Sequence, residues 1–269
     1  MSKSVRRYLA RNRHRAAIPI LMEKLEGYVR GWKNFDYDPA HNGEAHFLRQ
    51  AAAHLPPDSV LFDVGANAGE WSAAARAAMP SAHIHAFEPV PETFARLSRA
   101  MEGDPFITPN PFGLGAADSE QRMRTVAGDD TRATLLARAE LKGESGTTLA
   151  VHIRRGDGYC AENGIDLIDL LKIDAEGAEG IVLSGLEGML SRGKIGIIQF
   201  EYGRANIAAR FLLGDFYDLL APLGYAIGKI YPNHVDFRPY TMDQEDFLGP
   251  NYLAVFNRHE GLIADLAVR

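Results

Sequence analysis

Acidic side chains stand at the ends of several apolar segments of this chain. Asp63 ends VLFD, Glu88 ends HIHAFE, Asp174 ends LLKID and Glu201 ends IIQFE. If these segments are parallel strands, their carboxyl ends meet at one edge of a sheet, where open α/β sheets bind ligands. Carboxylates in such a place accept hydrogen bonds from ligand hydroxyls or remove a proton as a general base. We therefore expect a ligand site that is rich in acids.

A glycine-containing turn, GANAGE at residues 65–70, follows the first of these segments, and several interpretations of it are open. A phosphate loop requires Gly-Lys-Ser/Thr at the start of the next helix, which this sequence lacks. A dinucleotide fingerprint would place its third glycine on Glu70, whose carboxylate opposes a pyrophosphate. S-adenosylmethionine carries a sulfonium and an ammonium and no phosphate, so Asp63 and Glu70 would favour it. A turn that serves chain folding alone is the remaining alternative.

The position of Glu88 favours a ligand that contains a ribose. Glu88 follows Gly69 by nineteen residues, which is the spacing at which an acid accepts hydrogen bonds from ribose hydroxyls. An acid next to Pro89 and Pro91 would also suit the N-terminus of a helix. The glycine turn and the acid together favour the ribose-binding role.

The elements that must position these residues alternate along the chain. Strands are predicted over 59–65, 82–88, part of 105–116, 165–174 and 194–202, and helices over 69–79, 91–102, 177–191 and 205–222. Short connections between strands and helices predict an α/β fold with a parallel sheet and right-handed crossovers. The last two strands, 224–231 and 251–257, are expected to pair antiparallel. The linker between them, residues 232–250, is a candidate functional loop.

Two segments lie outside this alternation. An apolar face that includes Tyr8, Ile20 and Leu25 predicts one helix over 4–31, and another helix fits 43–54. We therefore divide the chain into an N-terminal helical extension, residues 1–56, which would serve as a lid or an oligomer arm, and a ligand-binding domain, residues 57–269. Residues 117–150 are expected to form a surface insertion with short strands at RMRTVA and TTLAVHIRR.

Composition and charge narrow the class of protein. The 269 residues include one cysteine, Cys160, and no apolar run near the roughly 20 residues that span a bilayer, so we expect a cytoplasmic protein without a membrane partner. The net charge of −6 divides into +6 on residues 1–15 and −12 on the remainder. The basic segment either docks on the acidic body or contacts nucleic acid, and the acidic body disfavours nucleic acid.

Four motifs together carry a resemblance to a known family. VLFDVGANAGEWS, HAFEPVPETFARL, IDLLKIDAEGAE and IIQFEYG occur in the order and spacing of the FkbM-type methyltransferases, over about residues 42–257. The resemblance implies a Rossmann-like class I methyltransferase fold, with a seven-stranded, mostly parallel sheet and an antiparallel last strand. It also implies S-adenosylmethionine as cofactor and methylation of a hydroxyl on a sugar or a natural-product scaffold, such as a polyketide or macrolide.

The resemblance also assigns cofactor-binding residues by position. The turn that would hold the methionine part of the cofactor includes Asp63, Gly65, Ala66, Asn67, Gly69 and Ser72. Glu88 and Pro89 match the ribose site, and NPFGLG, with Asn110, Gly113 and Leu114, matches the adenine wall. Gly113 stands where members of the family often have alanine. Asp174 matches a position beside the cofactor.

Asp174 and Glu201 are the candidate bases that would remove the proton of the acceptor hydroxyl. Lys172 lies two residues before Asp174 on a predicted strand, so both face the same side, and Lys172 would keep a carboxylate ionised. Glu176 and Glu179 suit the start of a helix as well as a site. The grouped oxygens would also suit Mg²⁺, which we do not favour, and no metal ligand is assigned.

A small-molecule acceptor is the expected partner, and self-association of the chain is left open. An NAD-dependent oxidoreductase and a non-catalytic Rossmann-like scaffold are the alternative functions. Glu70 and the absence of the third glycine from the turn disfavour the oxidoreductase.

Overall fold

A computed structural model describes residues 3–15, 17–126, 129–134 and 146–267. Its strands are β1 (Val60–Val64), β2 (His83–Phe87), β3 (Ile107–Asn110), β4 (Gly113–Gly115), β5 (Ser119–Val126), β6 (Asp129–Thr134), β7 (Thr148–Arg155), β8 (Ile168–Ile173), β9 (Ile195–Glu201), β10 (Tyr225–Tyr231), β11 (His234–Phe237) and β12 (Asn251–Phe256). Its helices are α1 (Lys3–Arg11), α2 (Ala17–Trp32), α3 (Glu44–His54), α4 (Glu70–Ala78), α5 (Pro91–Ala100), α6 (Gly156–Glu162), α7 (Glu179–Gly185), α8 (Glu187–Ser191), α9 (Ala205–Ala209), α10 (Leu213–Leu220) and α11 (Glu260–Leu266).

The larger sheet is mixed and has the strand order β11-β10-β12-β9-β8-β1-β2-β3. Strands β3, β2, β1, β8 and β9 are parallel, whereas β12 runs antiparallel to both β9 and β10. The predicted antiparallel pairing of the last two long strands is therefore confirmed. The prediction of seven strands is wrong by one. Residues 234–237 of the predicted loop pair with β10 through a two-residue turn and form the eighth strand.

Burial explains why the central strands are continuously apolar. Every residue of β8 is buried, as are six of the seven residues of β9, which is typical of parallel strands that are covered on both faces. One face packs on a cluster with Leu186 and Phe216, and the other face packs on a cluster with Phe47 and Trp71. Phe47 belongs to α3, so the last helix of the predicted N-terminal extension is part of the core.

The predicted insertion forms a second sheet. Its strand order is β4-β7-β5-β6, and the predicted strands at RMRTVA and TTLAVHIRR lie in β5 and β7. Met123, Val151 and Ile153 of this sheet pack against Val90 at the start of α5. Residues 127–128 and 135–145 of the insertion lie outside the described residues. The packing against Val90 fixes the second sheet beside the start of α5.

Several helices differ from the prediction. The single helix expected over 4–31 is two helices, because the chain turns at residues 12–15. The helices expected over 177–191 and 205–222 are also each divided in two. The helices α6 and α11 were not predicted. No helix of the described part of the chain is long and apolar enough to cross a membrane.

Candidate functional site

A cavity of about 860 Å³ lies at the carboxyl ends of β1, β2, β8 and β9. The cavity wall brings the glycine turn together with Glu88, Lys172, Asp174 and Glu201. A volume of this size accommodates a drug-sized ligand. Three of the four acids at the strand ends, Glu88, Asp174 and Glu201, therefore line one cavity, whereas Asp63 is fully buried behind its wall.

The glycine turn is shaped by backbone packing. Gly65 has φ +78°, and a Cβ on it would lie 1.8 Å from the carbonyl oxygen of Asp174. Gly69 has φ +93°, and a Cβ on it would meet Leu97 of α5 and Met101 directly after that helix. Both positions require glycine because φ is positive and because protein atoms occupy the space of a Cβ. The fold alone therefore explains both glycines.

Glu88 closes the turn from the neighbouring strand. One carboxylate oxygen, Oε2, accepts a hydrogen bond from the Asn67 amide at 3.1 Å, and the other, Oε1, accepts one from the Val90 amide at 2.8 Å. The side chain is buried in the cavity wall, and this burial raises the pKa of Glu88 to about 7. A carboxylate has about four acceptor sites, so two remain for ligand hydroxyls. This geometry suits the ribose role.

Lys172 joins two carboxylates at the floor of the cavity. Its Nζ lies 3.2 Å from Asp63 Oδ1 and 3.5 Å from Asp174 Oδ2, and it donates to the Gly65 carbonyl at 3.4 Å. Burial disfavours the charged amine, but Asp63 and Asp174 outweigh that effect and raise the pKa of Lys172. Asp63 is fully buried and accepts a hydrogen bond from Ser72 Oγ at 2.7 Å. Lys172 is therefore placed to stabilise negative charge on both Asp63 and Asp174.

Asp174 and Glu201 form a carboxyl pair at the cavity wall. The side chain of Asp174 is 44% exposed, whereas desolvation, the charges of Asp174 and Glu176, and a hydrogen bond with Asp174 raise the pKa of Glu201. Burial and these neighbours favour the protonated form of Glu201, whereas Asp174 beside it faces Lys172. Tyr37 lines the same part of the cavity, and desolvation raises its pKa. Asp174 is thus the exposed member of the pair and the candidate to accept a proton.

The sheet of the insertion closes the opposite end of the cavity. Met123 of β5 and Ile153 of β7 line it together with Pro89, Gly113 and Leu114. A Cβ on Gly113 would lie 2.9 Å from Ile153 Cδ1 and 3.5 Å from Pro89 Cγ. The packing of Ile153 from β7 thus explains why glycine occupies position 113.

Gly113→Ala is expected to lower the free energy of unfolding by about 1 kcal/mol, because the added methyl overlaps Ile153 Cδ1. Adding Ile153→Val, which removes that carbon, should restore most of the loss, so a double-mutant cycle by chemical denaturation should show a favourable coupling. Gly158→Ala is the matched control, since nothing lies within 4 Å of its Cβ. Additive effects of the two substitutions would contradict the assignment.

The structure separates the predicted cofactor residues into two groups. Those that line the cavity are Gly65, Ala66, Asn67, Glu88, Pro89, Gly113, Leu114 and Asp174. Those that lie behind its wall are Asp63, Gly69, Ser72 and Asn110. Asp63 and Ser72 bond to each other, and Asn110 donates to the Thr108 carbonyl at 2.9 Å. The second group supports the turn and the neighbouring strand.

Glu176 and Glu179 differ in their positions. The helix α7 begins at Glu179, so Glu176 lies before it, in the left-handed region with φ +51° and in the cavity wall. Glu179 is buried, and its Oε1 accepts hydrogen bonds from the amides of Ala175 and Gly177 at 3.0 and 3.1 Å. Glu179 thus shapes the loop after β8.

A polar network around Glu44 was not predicted. Glu44 Oε1 accepts hydrogen bonds from Asn42 Nδ2 at 2.7 Å and Asn251 Nδ2 at 2.9 Å, and its Oε2 accepts one from Gln199 Nε2 at 2.9 Å. Asn42, Glu44 and Asn251 line the cavity. The sequence signal available was Gln199, a polar residue within an otherwise apolar strand. Within the described residues, no group of three or more potential ligands is arranged to hold a metal ion.

The fold and the site together define an α/β protein with a cavity at the carboxyl ends of the parallel strands of a mixed sheet. Residues 63–227 match the model of the methyltransferase FkbM domain. This match covers more than half of the chain, which therefore belongs to the FkbM methyltransferase family.

Individual relatives differ in what their names say they act on. The 31-O-demethyl-FK506 methyltransferase FkbM of Streptomyces tacrolimicus is 31% identical over 54% of this chain and 70% of its own length. The 2-O-methyltransferase NoeI of Sinorhizobium fredii is 28% identical over 68% of this chain and 76% of its own length. A stretch of the AMB antimetabolite synthetase AmbE of Pseudomonas aeruginosa is 30% identical over 49% of this chain, which spans only 8% of that protein.

A solved structure of methyltransferase FkbM from Methylobacillus flagellatus superposes with a TM-score of 0.48 at 16% identity. The superposition covers 74% of this chain and 44% of that one.

Proposed function

We propose that this chain is an O-methyltransferase that uses S-adenosylmethionine as its cofactor. The acceptor would be a hydroxyl of a sugar or of a natural-product small molecule. The observation that carries the proposal is the single cavity in which the glycine turn and Glu88 meet the Lys172, Asp174 and Glu201 group. Two of the relatives named above are methyltransferases by name, and both names specify oxygen as the methylated atom. We assign the fold to class I methyltransferases with β11 as an additional strand.

The charges of the cavity favour this cofactor over a dinucleotide. Glu44, Glu70, Glu88, Asp174 and Glu201 line the cavity. A sulfonium and an ammonium are attracted by such a wall, whereas a pyrophosphate is repelled. Cys160 is free and buried, which suits a reducing compartment such as the cytoplasm.

The proposed mechanism assigns one role to each side chain. Gly65, Asn67 and Glu88 would hold the cofactor, which would supply a methyl group already activated by its sulfonium. Asp174 would take the proton of the acceptor hydroxyl when that oxygen receives the methyl group. Lys172 lies 3.5 Å from Asp174 and would stabilise its carboxylate, and Glu201, whose protonated form is favoured by burial, would donate a hydrogen bond to Asp174. A positioned base of this kind contributes about 10²–10⁴-fold.

Calorimetry and a product assay test the proposal together. S-adenosylmethionine is expected to bind and NAD not to bind. Formation of S-adenosylhomocysteine is then measured with a panel of glycosides and macrolides that offer free hydroxyls. Binding of NAD without S-adenosylmethionine would reverse the choice in favour of an oxidoreductase, and cofactor binding without turnover on any acceptor would favour a scaffold.

Glu88→Gln is expected to weaken S-adenosylmethionine binding about 30-fold, roughly 2 kcal/mol, because it removes one charge-assisted acceptor of a ribose hydroxyl. Isothermal titration calorimetry measures the change. Glu92→Gln is the control, since Glu92 is an exposed acid in the first turn of α5. Equal dissociation constants for the Glu88 and Glu92 variants would exclude Glu88 from the ribose site.

The same side chain predicts a pH dependence of binding. Burial raises the pKa of Glu88 to about 7, so the accepting carboxylate is mostly protonated at pH 6 and mostly ionised at pH 8. Cofactor affinity of the wild-type chain should therefore increase about tenfold from pH 6 to pH 8. The increase should be lost in Glu88→Gln, and an identical increase in that variant would assign the titration to another group.

A further inference from the structure

The N-terminal arm, residues 3–33 with helices α1 and α2, differs from the rest of the described chain in its exposed surface. Neither helix contains a buried residue. Eight of the fourteen exposed large apolar side chains of the described residues belong to the arm: Val5, Tyr8, Ile20, Leu21, Leu25, Tyr28, Val29 and Trp32. Tyr28 and Trp32 are each 78% exposed. A concentration of exposed apolar side chains of this kind marks a contact with another molecule.

The apolar side chains of each helix share a face. Leu21, Leu25, Tyr28 and Trp32 in α2 recur at intervals of four, three and four residues, so they lie on one side of the helix. In α1, Val5 and Tyr8 lie on one side, three residues apart. Both helices are therefore amphipathic, and their apolar faces are exposed.

The arm also concentrates positive charge. Residues 1–15 carry six basic and no acidic residues, and the arm as a whole has a charge of +7 in a chain of −6. The basic residues of α1 are Lys3, Arg6, Arg7 and Arg11. The positive charge of the arm favours an anionic partner.

The arm is attached beside the mouth of the cavity. Lys33 Nζ forms an ion pair with Asp246 Oδ2 at 2.9 Å. Asn34 Nδ2 donates to the carbonyls of Asn42 at 2.7 Å and Ile230 at 2.9 Å. Tyr37, three residues further on, lines the cavity. A surface that binds the arm therefore lies close to the entrance of the site.

We propose that the arm binds the surface of a bilayer that contains anionic phospholipids. A bilayer surface satisfies both features, since apolar side chains enter the interface while Lys and Arg contact phosphate groups. Tyr and Trp are side chains that favour this interface. A second copy of the chain that packed arm against arm would bring two arms of +7 together, and a nucleic acid would leave the apolar faces exposed. Surface binding of this kind requires no membrane-spanning helix.

Sedimentation of the full chain with vesicles tests the proposal. We expect binding to vesicles of phosphatidylcholine with phosphatidylglycerol, little binding to phosphatidylcholine alone, and release from the mixed vesicles at high salt. Arg6→Gln/Arg7→Gln/Arg11→Gln should reduce the partition coefficient about 100-fold, since each basic residue near such a surface contributes about fivefold. Leu25→Asp/Trp32→Asp should abolish binding. Met242→Asp, a change at a 77% exposed apolar side chain outside the arm, should have no effect.

None of these variants alters a buried side chain, so unchanged melting temperatures should accompany the changes in binding. Three results would overturn the proposal. The first is equal sedimentation of the wild type with and without mixed vesicles. The second is a lipid-free dimer, seen by analytical ultracentrifugation, that Leu25→Asp/Trp32→Asp dissociates. The third is RNA binding that survives Leu25→Asp/Trp32→Asp in a chain that does not bind vesicles.

Discussion

Asp174→Asn is expected to reduce turnover by about 10²–10⁴-fold and to leave S-adenosylmethionine binding almost unchanged. Asparagine keeps the size of the side chain and loses the ability to take a proton. Asp174 is the partner of Lys172 that the cavity exposes, because Asp63, the other carboxylate beside Lys172, is fully buried. The expected effect is therefore on kcat.

Steady-state kinetics with calorimetry of cofactor binding measures both quantities. Glu176→Gln is the comparison variant, since Glu176 lines the cavity in the same loop and acts on the proposed proton transfer only through the pKa of Glu201, so its loss should change turnover far less. Glu201→Gln should have a smaller effect than Asp174→Asn, because the amide still donates a hydrogen bond to Asp174. If Asp174→Asn remains as active as Glu176→Gln, Asp174 is not the base.

Lys172→Met is expected to lower the free energy of unfolding by about 3–5 kcal/mol, because Asp63 is left as a buried charge without its cation. For a chain of this size the melting temperature should fall by roughly 10 °C. Calorimetric melting measures the loss. Lys194→Met, at an exposed lysine, should change the free energy of unfolding by about 0.5 kcal/mol or less.

A second substitution distinguishes the ion pair from simple loss of packing. Asp63→Asn in the Lys172→Met background removes the unpaired charge and keeps an oxygen that can accept the hydrogen bond of Ser72. The double variant should recover most of the lost stability. A double variant as unstable as Lys172→Met would show that packing of the lysine stem, and not charge, dominates.

The pattern of the sequence predicted the elements whose signal is local. Apolar segments that end in Asp63, Glu88, Asp174 and Glu201 gave the parallel strands and placed these acids at one edge. The strand β11 was not predicted, because four residues after a two-residue turn carry too little periodicity to distinguish a strand from a loop. The break between α1 and α2 was not predicted, because the spacing of apolar residues before and after residues 12–15 fits one helix.

The site itself was predictable only where it depends on residues near the motifs. Glu44 meets Gln199 and Asn251 across 155 and 207 residues of sequence, and no periodicity reports such contacts. The sequence also does not show how deeply each side chain is buried. Asp63, Asn67 and Ser72 belong to the same motif, and of these three Asn67 lines the cavity. The reason for Gly113 required the position of Ile153, which comes from the insertion.

The wall of the cavity is drawn from two sources along the chain. Residues 63–227 match the family, whereas Tyr37, Asn42 and Glu44 precede that core and Pro250 and Asn251 follow it. The cavity wall therefore combines the part of the chain that matches the family with flanking segments on both sides of it. We expect these flanks to contact the acceptor of the proposed reaction and to determine which acceptor is preferred. Transplanting residues 37–48 and 245–251 from a relative should carry that relative's preference with them.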